Sequence, residues 1–136
     1  MHEHVIHVYP TDCDMLGHVN HATMITFLEH ARWAMLAPHM TVHDWFAGGV
    51  WPVVRHVDVA YEAQAVPGDD LVVRSGLVSV GNTSFSVRQE VRRRSDGRRV
   101  ANATLTFVCV GRDGAKVPFP DAWRDVMSPW TEESAS

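Results

Sequence analysis

Ten residues near the start of the chain, Asp12-Cys13-Asp14-Met15-Leu16-Gly17-His18-Val19-Asn20-His21, gather two carboxylates, a thiol, two imidazoles and a carboxamide around one glycine. An apolar, helix-like segment follows at once. A carboxylate in such a place can take a proton from water or attack a carbonyl itself. The first N–H groups of a helix have no partner within it, and the helix dipole adds partial positive charge there. Together they offer donors to an oxygen that is gaining negative charge. His21 can supply its backbone N–H, and its imidazole can polarise a carbonyl or orient water. The plainer readings are an aspartate that caps the helix and a histidine bonded to nearby backbone. His18 and Asn20 read as residues that shape the loop. Cys13, between two acids, is a poor nucleophile and reads as structural.

Two other groups could do chemistry. Arg88, Arg92, Arg93, Arg94, Arg98 and Arg99 surround Asp96-Gly97, a charged tip that suits phosphate or merely solvent. His18-x-x-His21 and His39-x-x-x-His43 have ligand-like spacings, but neither comes with a cysteine pair or a His-Glu-x-x-His helix. No metal and no cofactor is expected.

The elements that must position these residues are read from hydrophobic period. Residues 4–10 alternate as a strand. Residues 22–37 carry Met24, Phe27, Leu28, Ala31 and Met35 on one face of a helix. Asn20 or Thr23 can cap its start, and Ala37 before Pro38 ends it. Glu29 lies two turns beyond His21 and can pair with Arg32 or Trp33 or face an acyl pocket, with Arg32 as its expected i,i+3 partner. Trp33, Trp45, Phe46 and Trp51 can line a pocket or fill a core. Residues 53–63, 71–80, 84–93 and 99–110 alternate as strands. Pro67-Gly68, Gly81-Asn82 and Asp96-Gly97 mark the turns between them. Residues 120–127 suggest a short last helix, and 131–136 a frayed end. Hairpin-type connections predict a largely antiparallel sheet of about five strands against which the long helix is buried. The fold class is α+β. A curved sheet wrapped around a central helix is the hotdog layout.

The Asp12-to-His21 segment, running into Phe27-Leu28-Glu29-His30-Ala31-Arg32, resembles the 4-hydroxybenzoyl-CoA thioesterase family. That family carries Asp-x-Asp, a glycine, and a helix with Glu-x-x-Arg. Tyr61 with Gly68-Asp69-Asp70-Leu71 resembles the family's second strand and its turn. The resemblance covers nearly the whole chain and implies one hotdog domain over residues 1–136. It implies hydrolysis of acyl-CoA thioesters, with Asp14 as the catalytic acid and His21 beside it. A tyrosine that one branch places four residues before the acid is Pro10 here, and an aromatic of the first helical turn is Met24. Glu29 and Trp51 are the candidate substrate-binding residues. An acyl carrier protein thioesterase and a non-catalytic acyl-binding module are the alternatives.

Composition narrows the partners. The chain has 136 residues, 46% hydrophobic and 21% charged, with net charge −4. That balance suits a globular domain and disfavours a generic nucleic-acid binder. No apolar run approaches the ~20 residues of a membrane span. Two cysteines and the polar Met1-His2-Glu3-His4 start fit a reduced, cytoplasmic setting. One sheet edge is left unpaired and Gly49-Val50-Trp51-Pro52-Val53 is apolar for a connection. Both predict a homodimer or homotetramer. The resembled family pairs its domains edge to edge, which implies a shared site.

Overall fold

The strands follow from alternation and the long helix from its apolar stripe. In the computed structural model they run β1 (His2–His7), α1 (His21–Leu36), α2 (Val42–Gly48), β2 (Trp51–Tyr61), β3 (Asp70–Val80), β4 (Ser84–Arg93), β5 (Arg99–Val110) and α3 (Asp121–Met127). The structure describes residues 1–131, with Val42 and Phe46 described by backbone alone. Of the expected frayed end, only Thr131 lies among them, and it bridges to Leu77. The five strands form one antiparallel sheet in the order β1-β3-β4-β5-β2.

α1 lies on one face of this sheet. Leu28, Ala31 and Met24 are buried from the helix, and Leu71, Val73, Val87, Val91, Ala103 and Leu105 from the strands. A polar pin joins the two layers. Gln89, fully buried on β4, donates through Nε2 to the Leu28 carbonyl at 2.9 Å and to Ser75 Oγ at 2.9 Å. Arg32 Nη1 donates to Gln89 Oε1 at 3.0 Å. Every polar atom of the buried amide group therefore has a partner, as burial requires. Phe85, Phe107, Phe119 and Trp123 close the far end, with Phe85 and Phe107 stacked at 5.0 Å.

Three expectations need correction. The first strand runs over 2–7, not 4–10, because Pro10 begins a 3-10 turn whose Asp12 Oδ2 takes the Tyr9 N–H at 2.8 Å. The second strand runs over 51–61, not 53–63. As an edge strand it tolerates Pro52, which pairs with Cys109. The Pro67-Gly68 turn does not close a hairpin. β2 pairs with β5, so residues 62–69 carry the chain across the end of the sheet to β3. The helix α2 was not foreseen. Thr41 caps it and Asp44 reaches back to the Thr41 N–H at 2.8 Å. Gly49 ends it at a φ of 70°, a left-handed conformation that favours glycine.

Candidate active site

The loop between β1 and α1 is folded on itself. The Asp14 N–H donates to the His18 carbonyl at 2.9 Å, and the Gly17 N–H to the Asp14 carbonyl at 3.0 Å. Gly17 supplies the turn with a φ of 79°. The Asp14 carboxylate is held by this turn. Its Oδ1 accepts the Leu16 N–H at 2.9 Å and the His18 N–H at 3.5 Å. Asp14 is exposed, so its carboxylate is both oriented and open to solvent. Asp12 serves the scaffold instead: its carbonyl takes the Asn20 N–H and its carboxylate the Tyr9 N–H. Burial, then Asp12 and Asp14, push the Cys13 thiol up, in keeping with an inert cysteine.

The Asn20 side chain caps α1, accepting the Ala22 N–H at 2.9 Å. The Met24 N–H reaches the Asn20 carbonyl. Among the described residues, the His21 and Thr23 N–H groups have no acceptor. The loop thus holds one oriented carboxylate on one side of the Cys13–Val19 bridge and leads on the other side into a helix start with open donors. A residue that the sequence marks only as part of the second strand completes the corner. The Tyr61 hydroxyl, at the end of β2, donates to the His21 carbonyl at 2.7 Å. Its only sequence signal was an aromatic closing an alternating strand.

Glu29 does not pair with Arg32. Its Oε1 accepts the Trp33 indole N–H at 3.4 Å, while Arg32 turns inward to Gln89 and over the Phe107 ring. Burial pulls the Arg32 pKa down, and neighbouring Glu29 opposes that. Glu29 and Arg32 share the wall of a cavity of about 130 Å³ with Trp33, Trp45, Val54 and Phe107. Glu29 is two helical turns, about 12 Å, from the helix start. Trp51 opens β2 at the end opposite Tyr61, about 33 Å along the strand. Within one chain it does not meet Asp14 or His21. The Phe46 side chain lies outside the description. Among the described residues, no three His, Cys, Asp or Glu side chains converge as a metal site would need. No described helix is long and apolar enough to cross a membrane.

Residues 8–127 match the family model of the Thioesterase-like superfamily. The chain is 33% identical over 97 residues to the long-chain acyl-CoA thioesterase FadM of Escherichia coli strain K12, which covers 71% of this chain and 74% of that protein. It is 32% identical over 106 residues to the acyl-CoA thioester hydrolase YbgC of Escherichia coli O6:H1, covering 77% and 78%. Among solved structures it superposes on the probable thioesterase YbaW of Escherichia coli with a TM-score of 0.82 at 27% identity, over 96% and 98% of the two chains. It shares its fold with Slr0204, a 1,4-dihydroxy-2-naphthoyl-CoA thioesterase from Synechocystis, at a TM-score of 0.85, 21% identity and coverage of 93% and 94%. With the helix laid on one antiparallel sheet and a match across nearly its whole length, the chain belongs to the thioesterase-like superfamily of hotdog proteins.

Proposed function

We propose that this chain hydrolyses acyl-CoA thioesters to a free acid and coenzyme A at the corner formed by the Asp14 loop and the start of α1. The observation that carries this reading is an exposed, oriented Asp14 carboxylate on the loop that leads into the unsatisfied N–H groups of His21 and Thr23. The names of the two curated relatives agree with it. In one route Asp14 takes a proton from water and the hydroxide adds to the thioester carbon. In the other an Asp14 oxygen attacks, the thiolate leaves, and water hydrolyses the resulting anhydride. In both, the carbonyl oxygen becomes negative before the C–S bond breaks, and the helix-start N–H groups are placed to receive it. The leaving thiolate then takes a proton.

The acyl group extends along α1 toward the cavity walled by Glu29, Trp33 and Trp45. The site is shared between two copies. The free edge of β2 exposes Val53, Val54, Val57 and Tyr61, which antiparallel pairing with a second β2 buries. About a twofold axis such pairing brings the partner's early β2 toward this chain's Tyr61. That is how Trp51, remote within its own chain, reaches the substrate. A carrier-protein thioester is the second reading, favoured by the basic β4–β5 hairpin. Free-thiol release across a panel of aliphatic and aromatic acyl-CoAs tests the main reading, and absence of turnover with every member sinks it.

A further inference from the structure

The β4–β5 hairpin holds six of the chain's twelve basic residues within 88–99, against two acids, Glu90 and Asp96, although the whole chain is net −4. Most of these arginines are already engaged. Arg92 is held by Glu90 at 2.6 Å and the Gly97 carbonyl at 2.8 Å. Arg93 forks onto Asp96 and reaches the Gln64 carbonyl at 3.1 Å. Arg99 forks onto Glu62. Arg88 bonds Asn102 at 3.3 Å. Among the described residues, Arg94 and Arg98 alone in the hairpin have side chains without a partner, and both are exposed.

The hairpin tip that carries these two residues lies at the same end of the sheet as the candidate site. Residues 62–69 lie between the hairpin and the Asp14 loop and are bonded to each. The Val19 N–H donates to the Ala65 carbonyl at 2.9 Å on the loop side. Arg93 and Arg99 hold Gln64 and Glu62 on the hairpin side. Ala101 pairs with both Tyr61 and Val91, so Tyr61 and the hairpin are in one register. Arg94 is three residues beyond Val91, about 10 Å along the strand direction. The extended pantetheine arm of coenzyme A is longer than that. It can keep its thioester at the helix start, cross the 62–69 segment over exposed Val66, and set its phosphates at the hairpin tip.

We infer that Arg94 and Arg98 bind the phosphates of the coenzyme A nucleotide, which makes them determinants of substrate class for the thioesterase reading on which this inference rests. Two carboxylates lie near Arg94, in the same shallow groove, but both are occupied. Asp70 Oδ1 is 2.7 Å from His7 Nδ1, and Asp69 Oδ2 takes the Val66 N–H at 3.0 Å. Arg98 lies outside that groove. The guanidinium fork suits a phosphate, and the surrounding ion pairs hold the hairpin tip in shape.

The test pairs the intact protein with its Arg94→Ser/Arg98→Ser variant. Binding of coenzyme A, dephospho-coenzyme A and pantetheine is measured by calorimetry, and turnover with an acyl-CoA and the matching acyl-pantetheine. Intact protein is expected to bind coenzyme A about tenfold more tightly than pantetheine, as two exposed charge contacts allow. The variant is expected to lose that preference, with a raised KM for acyl-CoA, unchanged kcat and an unchanged KM for acyl-pantetheine. Equal coenzyme A affinity in the two proteins overturns the inference. So does an equal loss with both substrates, or a loss seen only with an acyl carrier protein. Absence of all turnover would overturn the thioesterase reading instead, and the calorimetry would still decide the phosphate contacts.

Discussion

The two edges of the sheet are built in opposite ways. β1 is six residues long, and Glu3 and His7 face outward to Arg74 at 3.4 Å and Asp70 at 2.7 Å. A short, charged edge discourages a further strand. β2 is eleven residues long, and Val53, Val54, Val57 and Tyr61 are 48%, 45%, 37% and 49% exposed. β2 also exposes Arg55, His56 and Asp58, and among the described residues none of the three is in an ion pair. β1 discourages a further strand, whereas β2 leaves a longer edge open to the second copy proposed above. The candidate site sits on the β2 side, through the Tyr61 contact to His21. On the proposed reading, association and chemistry meet at the β2 edge.

The sharpest test of that division is Asp14→Asn. It is expected to lower kcat about a hundredfold or more with the fold and substrate binding retained. Asp12→Asn, which alters only a loop bond, is expected to keep substantial activity, and near-wild-type turnover by Asp14→Asn would falsify the catalytic assignment. Next in size is a matched pair of edge substitutions. Val57→Asp should shift sedimentation toward the monomer and take activity with it, because it buries a charge in the β2 contact. Val5→Asp, on β1, should change neither. An active monomer of Val57→Asp removes the shared site and the role of Trp51.

Gln89→Leu acts between the edges. It leaves Ser75 and Arg32 without their partner and should cost about 1–3 kcal/mol in denaturant unfolding. It should affect dimer and monomer alike. Tyr61→Phe removes one hydrogen bond at the β2 side, worth about 0.5–1.5 kcal/mol. Its effect on KM should be smaller than its effect on kcat if the helix start meets the transition state. The smallest expected effect is on the pH dependence of stability. The Arg99 hydrogen bond holds the Glu62 carboxyl below the usual range, with burial opposing. A depressed carboxylate pKa stabilises the fold above its unfolded value, and that gain fades as pH falls through the folded one. Glu62→Gln should therefore lower stability slightly at neutral pH and flatten the acid limb below about pH 4.5, so that the two proteins converge in acid.

What the sequence disclosed follows how local the signal is. The spans of α1 and of β3, β4 and β5 agree with the expected ones to within one residue, because period and turn residues are local. The β2–β5 pairing was invisible, since alternation in residues 53–63 does not say which strand lies alongside. The capping box of α2 was present as Thr41 and Asp44, but the helix is too short for a period to stand out. At the site, the Asp14 loop and the Asn20 cap were legible from residue type and order. Tyr61 was not, because its bond to His21 spans 40 residues. Gln89 was overlooked although it stands on the inward face with Phe85, Val87 and Val91. A polar residue in that series was the signal.

The crossing of residues 62–69 to β3 also sets the order of folding. β3, β4 and β5 are joined by tight turns and form a meander of local contacts. β2 docks on β5 from Trp51 against Val110 to Tyr61 against Ala101, with all of β3 and β4 lying between in the chain. Closing that long loop carries a larger entropic cost than closing the hairpins, so the expected sequence has the meander first and β2 last. The opposite move has the same order in reverse. In the single chain, opening of β2 breaks the Tyr61 contact while the meander persists, so in a monomeric variant the amides of β2 should exchange with solvent deuterium before those of β4. On that timescale the corner around His21 can be dismantled and rebuilt without the protein ever unfolding.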